Sequence, residues 1–131
     1  VEEDFQMGLS NGLALAGFLP ISIYPRWNFL LLATNQLVNH LDKMRAMTGG
    51  EYSPKVIIRT GIGSVSPLNP GPQHVGDFTD AIKLLSTSIN VVRLDTADMI
   101  IPEYQKAALR EDGIMVRKCK NLRKPGVIGW V

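Results

Sequence analysis

Cysteine is nearly absent from this chain: Cys119 stands alone among 131 residues. One thiol makes no internal disulfide and, with no ligand cluster around it, no metal site, so a reducing, cytoplasmic setting is the expectation. Long apolar runs are absent too. None reaches the roughly 18 residues needed to cross a bilayer, and no secretory leader opens the chain. The charge is close to balanced, at +2, which argues against nucleic acid or a membrane surface as partner. No Gly-Lys-Ser or Gly-Lys-Thr occurs, so there is no Walker loop. Gly61 and Gly63 begin a G-x-G, but Ser66 stands where a dinucleotide fingerprint needs its third glycine. The first residue is Val1 rather than Met, which reads as a segment of a longer polypeptide.

What is present belongs to an ordinary globular domain, with 45% hydrophobic and 20% charged residues and enough length to bury a core without staples. The pattern alternates helices and strands. A helix is expected over 4–17, begun by Glu2, Glu3 and Asp4 and ended by Gly17. A short strand follows at 20–24, then a long helix over 28–47, apolar at Leu30, Leu31, Ala33, Leu37, Val38, Leu41 and Met44 and stopped by Gly49 and Gly50. Residues 55–59 (KVIIR) read as a strand covered on both faces. The span 60–76, with four Gly and three Pro, is too long for a mere connection. Helix 77–85, strand 90–94, helix 102–110 and strand 113–119 complete the order. The expected fold is a three-layer α/β domain, a mostly parallel sheet with helices on both faces.

In such sheets ligands sit beyond the carboxyl ends of the strands. Of the segments leaving those ends, one carries Trp27 and Phe29 with Tyr24 just before it. Another carries His74 after a run of Gly and Pro. Each has a plainer reading: the aromatics as core or interface, His74 as a structural or solvated histidine, and Glu3 as an acidic residue favouring a helix N-terminus. Gly8, Gly12 and Ala16, spaced by four, align on one helix face and permit close backbone contact with a partner or with the core. The basic stretch 117–124 reads as a solvated edge.

Several spaced motifs resemble the pyrimidine-binding, transketolase-like domain of thiamine diphosphate-dependent enzymes. The nearest pattern is that of the beta subunits of 2-oxo-acid dehydrogenase decarboxylase components. That family has a glutamate, then a small-residue helix ending A-G-x-x-P-I; here Glu3 precedes GLSNGLALAGFLPI at the same spacing. It continues with an aromatic loop ending N-F, then D-Q-x-x-N, a Lys and a Gly-Gly. Here stand Asn28-Phe29, Asn35-Gln36, Asn39, Lys43 and Gly49-Gly50. The family's strand ending in Arg, glycine-rich loop and Q-H-S-Q correspond to Arg59, 61–72 and Gln73-His74, followed in this chain by Val75-Gly76.

The resemblance implies roles. Glu3 would hydrogen-bond a ring nitrogen of the cofactor's aminopyrimidine and drive the tautomer that activates the thiazolium carbon. Phe29 would stack on the pyrimidine, with Trp27 and Tyr24 shaping the pocket, and His74 would meet substrate-derived groups as proton donor or oxyanion partner. No metal ligand is implied in this chain. The G-D-G motif that holds the diphosphate and its Mg2+ in such enzymes is missing, as is the carboxyl-terminal transketolase domain, and the domain looks incomplete at its N-terminus. The resemblance therefore implies a partner subunit or domain for the diphosphate, a homo- or hetero-multimer and a small keto substrate. Two function classes follow: a thiamine diphosphate-dependent component, with 2-oxo-acid decarboxylation ahead of transketolase-type two-carbon transfer, or a non-catalytic relative serving assembly or regulation.

Overall fold

A computed structural model of the chain describes residues 2–109 and the backbone of one further strand, Ile114–Lys118. Helix α1 runs Glu3–Leu15, with Glu3 and Asp4 in its first turn facing the positive end of the helix dipole. It ends where Gly17 takes a φ of 90°, a conformation that glycine adopts without steric cost. Gly17 N–H then reaches Ala14 O at 3.0 Å and Phe18 N–H reaches Leu13 O at 3.1 Å. Met7, Ser10, Asn11 and Ala14 form the buried face, at the three- and four-residue spacing of one helix side. Of the small residues, Gly8 lies against Gln36, whose side chain is 3.6 Å from where a Cβ would stand. Gly12 has nothing within 4 Å.

Strand β1 is short, Ile21–Ile23. The helical segment after it departs from the expected uniform helix: it starts one residue earlier and changes its winding along its length. An α-turn, α2 (Trp27–Leu30), passes into a 3-10 turn at Leu31–Ala33 and a π-helical stretch at Gln36–Leu41, before a last α-turn, α3 (Met44–Met47). In the wide stretch Asp42 N–H bonds back to Leu37 O at 2.9 Å. Leu41 and Asp42, consecutive in sequence, are both buried. A regular 3.6-residue helix places two such neighbours about 100° apart, and apolar spacing alone gives no sign of the wider turn.

Strand β2 is Ile57–Ile62, starting two residues and ending three residues beyond the expected strand, so Thr60, Gly61 and Ile62 belong to the sheet and not to the following loop. Helix α4 (Thr79–Leu85), strand β3 (Val91–Leu94), helix α5 (Ile100–Leu109) and strand β4 (Ile114–Lys118) follow. Pro102 sits in the first turn of α5, where its missing N–H costs nothing. The end of the expected last strand, Cys119 and most of the basic stretch lie outside the described residues.

All four strands are parallel, in the order β1-β2-β4-β3. Alternation along β2 divides the core. Ile58 and Ile62 join Met7, Trp27, Leu30, Leu37 and Ile82 in the larger cluster, while Ile57 packs with Leu94 and with Ile100, Tyr104 and Ala107 of and around α5. Successive strand residues point to opposite faces, so helices lie on both faces of the sheet, the α/β arrangement expected from the alternating pattern; only β1 leaves one face open, at Ile21 and Ile23, among the described residues.

One buried carboxylate ties the layers together. Asp42 accepts hydrogen bonds from Thr87 N (2.9 Å), Ser88 N (2.7 Å), Ile89 N (3.2 Å) and the hydroxyls of Thr87 (2.8 Å) and Ser88 (3.1 Å), and pairs with Lys43 Nζ at 2.8 Å. Burial alone would raise its pKa. The Lys43 ammonium and the donors of Ser88 and Thr87 outweigh that and hold the carboxyl well below the usual carboxylate range.

Candidate functional site

The carboxyl ends of β1 and β2 carry the residues singled out from the sequence. Glu3 is fixed there by its neighbours on α1. Gln6 Nε2 donates to Ser22 Oγ (3.0 Å) and Ile23 O (3.1 Å), and the Tyr24 hydroxyl donates to Glu3 O at 3.2 Å. These bonds dock the first turn of α1 on the end of β1. The Glu3 side chain is half-buried and, among the described residues, has neither a hydrogen-bond partner nor an ion pair. Asp4, by contrast, is engaged by Gln36 Nε2 at 3.3 Å.

Tyr24 and Trp27 are core residues, 1% and 0% exposed. Within this chain neither offers a ring face to a ligand; Trp27 instead anchors in the core the helical turn α2 that also carries Phe29. Burial pushes the Tyr24 hydroxyl up; the bond from Ser22 opposes this, and the carboxylates of Glu3 and Asp4 add to it.

Phe29 and His74 come together, with ring centroids 6.0 Å apart and planes inclined by 30°. Two features hold the His74 loop against α2. Arg26 Nη1 donates to His74 O at 3.0 Å, and Gly63 leaves room for that same carbonyl, which a Cβ at residue 63 would overlap. The G-x-G of the sequence is thus a place of close backbone approach. Gly76 plays a similar part beside the Phe78 ring, 2.5 Å from where its Cβ would stand.

Buried polar atoms without partners gather in the same region. Of six among the described residues, four belong to Trp27, Asn28, Thr60 and His74: Nε1, Oδ1, Oγ1 and Nδ1 respectively. Two of the four, Trp27 and Thr60, are core residues, 0% and 1% exposed, and buried polar groups in folded proteins are almost always paired with protein or with water. Gln6, Arg26 and Asn28 were not singled out as site residues from the sequence. Asn28 stood in the sequence only as part of the Asn28-Phe29 motif, while Gln6, a polar residue inside a helix, and Arg26, beside a strand end, occupy positions too common to stand out. Among the described residues no group of three or more His, Cys, Asp and Glu could hold a metal ion, and no helix is long and apolar enough to cross a membrane.

No protein-family model matches the chain. Individual relatives do. The pyruvate dehydrogenase E1 component subunit beta of Gracilaria tenuistipitata var. liui is 37% identical over 65 residues, covering 50% of this chain and 20% of the relative. The 3-methyl-2-oxobutanoate dehydrogenase subunit beta of Mycobacterium tuberculosis is 32% identical over 90 residues, 66% of this chain and 24% of the relative. The mitochondrial pyruvate dehydrogenase E1 component subunit beta of Saccharomyces cerevisiae is 33% identical over 72 residues, 55% of this chain and 19% of the relative. The match thus spans about a quarter or less of each relative's length. The yeast name places that relative in mitochondria, so the cytoplasmic setting expected from Cys119 is not common to the relatives. Over the matched segment, the homologues of this chain are the beta subunits of pyruvate and branched-chain 2-oxo-acid dehydrogenases, as the spaced motifs around Glu3, Phe29 and His74 had indicated.

Proposed function

We propose that this chain is the pyrimidine-binding part of a thiamine diphosphate-dependent 2-oxo-acid dehydrogenase component, with Glu3 as the carboxylate that engages the cofactor. The observation that carries the reading is the Glu3 side chain itself. The Glu3 backbone carbonyl accepts from the Tyr24 hydroxyl, and Gln6 of the same helical turn bonds the end of β1, while the Glu3 carboxylate has no partner among the described residues. A half-buried carboxylate with free acceptor capacity suits a ring N–H.

The surrounding residues fit an aminopyrimidine. The Phe29 ring is available for stacking, inclined toward His74. The diphosphate and Mg2+ are assigned to a partner subunit or domain. Bound there, the cofactor supplies the carbanion chemistry at its thiazolium carbon. Glu3 would be the group that exchanges a proton with the pyrimidine ring, and His74 would hold or donate a proton at the substrate's oxygen, its backbone kept in place by the bond from Arg26.

A partner is supported by the outer surface of α1 and β1. Phe5 is 69% exposed, Ile21 51% and Ile23 52%, with Leu9, Phe18 and Leu32 also exposed. Apolar surface of that kind marks an association face. It also suits the rival reading, a non-catalytic assembly module, and Glu3→Gln separates the two. In the assembled, cofactor-supplied protein the substitution removes the carboxylate while keeping its size. Loss of 2-oxo-acid turnover by 100-fold or more, with the multimer intact by native mass spectrometry, supports the enzyme reading. Unchanged turnover, or wild-type protein that assembles but never takes up thiamine diphosphate, supports the module.

A further inference from the structure

We infer that Arg26 is the carboxylate-binding residue of this site, reading the anionic end of a 2-oxo acid; the inference rests on the thiamine diphosphate reading above. Arg26 is half-buried between β1 and α2. The other basic side chains with described ion pairs, Lys43, Lys83, Arg93 and Lys106, are each matched to an aspartate or glutamate. Arg26 has no acidic partner among the described residues. Its one described bond, from Nη1 to His74 O at 3.0 Å, uses one of the five N–H donors that a guanidinium presents. The remaining donors stay charged and directional in a partly desolvated place, which is where a planar fork binds a carboxylate best.

The bond to His74 also fixes where those donors are. It ties the guanidinium to the backbone of the residue proposed to meet the substrate's oxygen, and Gly63 allows the approach, with Arg26 Nη1 3.1 Å from where a Cβ would stand. A 2-oxo acid has its carboxylate bonded directly to its carbonyl carbon. A site that must address both groups therefore needs its cationic donors next to its proton donor. Arg26 and His74 supply that pairing.

The test uses the assembled protein loaded with the 2-thiazolone form of the cofactor, whose ring carbon already carries oxygen and cannot react. Calorimetry then measures binding of pyruvate and of pyruvamide, its neutral isostere. With Arg26→Gln, pyruvate affinity is expected to fall 10- to 100-fold, the range of one charge-assisted contact, while pyruvamide changes less than twofold and the thiazolone form binds as before. Arg26→Lys, which keeps a point charge without the fork, should recover part of the loss. Unchanged pyruvate affinity in Arg26→Gln with the thiazolone form bound overturns the role of Arg26 and leaves the cofactor reading standing. An equal loss of both probes also overturns it, since that is the mark of a displaced His74 loop. Wild-type protein that fails to bind the thiazolone form overturns the cofactor reading and this inference together.

Discussion

Replacing Asp42 should destabilise this chain more than any surface-charge substitution. Its side chain is fully buried and collects three backbone N–H groups, two hydroxyls and the Lys43 ammonium. Asp42→Ala removes the acceptor that all of those donors share, leaving Thr87, Ser88 and the Lys43 ammonium to find water instead. A hydrogen bond to a charge is worth about 1.5–3 kcal/mol, although contacts sharing one carboxylate do not add and the Lys43 end of the ion pair stays in water. We expect a loss of about 3 kcal/mol or more, which at about 4 °C per kcal/mol for a domain of this size lowers Tm by about 12 °C. Hydrogen exchange locates the effect: amides of Thr87, Ser88 and Ile89 should lose protection first. The sign with pH follows from the depressed pKa. The unfolded chain binds the proton more readily, so the stabilisation is complete above the ordinary aspartate pKa of about 4 and is lost as pH falls toward the lower folded value. A loss under about 1 kcal/mol, with those three amides still protected, would refute the assignment of Asp42 as an anchor.

Gly63→Ala places a methyl group on the His74 carbonyl, so it should shift the His74 loop and change the histidine's NMR signals while leaving most of the sheet's amides where they were. Trp27→Ala removes a fully buried ring and should cost about 3–5 kcal/mol; Phe29→Ala, at a half-buried position, should cost less stability by thermal unfolding but weaken thiamine diphosphate binding. Tyr24 should ionise above the ordinary tyrosine range near 10 in an ultraviolet alkaline titration. The folded state holds that proton longer, so stability should fall as pH rises past about 10.

Fold class was legible because strand and helix periods differ and the elements alternate cleanly. Ile57 and Ile58 read as doubly covered, and each lies in a different core. The winding of 27–47 was not legible: π-helical turns have no hydrophobic signature, and Leu37 and Leu41 fit a regular helix equally well. The end of β2 was missed because Thr60, Gly61 and Ile62 run into a Gly/Pro-rich segment that looks like a loop from its composition. At the site, Glu3, Phe29 and His74 came from spaced motifs. Arg26 did not, since its significance lies in a contact with residue 74 that only folding creates. Asp42 was hidden for the same reason, its partners lying beyond β2 and α4.

The strand order places the last described strand inside the sheet. β4 pairs with β2 on one side and β3 on the other, and β3 has no other strand neighbour among the described residues. During synthesis β1 and β2 can pair early, but β3 must wait unpaired until residues 114–118 have left the ribosome and slipped between it and β2. The sheet therefore closes from its middle, late and through long-range contacts, a route that pays loop-closure entropy before it gains stability. Until then the edges of β2 and β3 are open, and a chain stopped before Ile114 would present both as sites for pairing with other molecules.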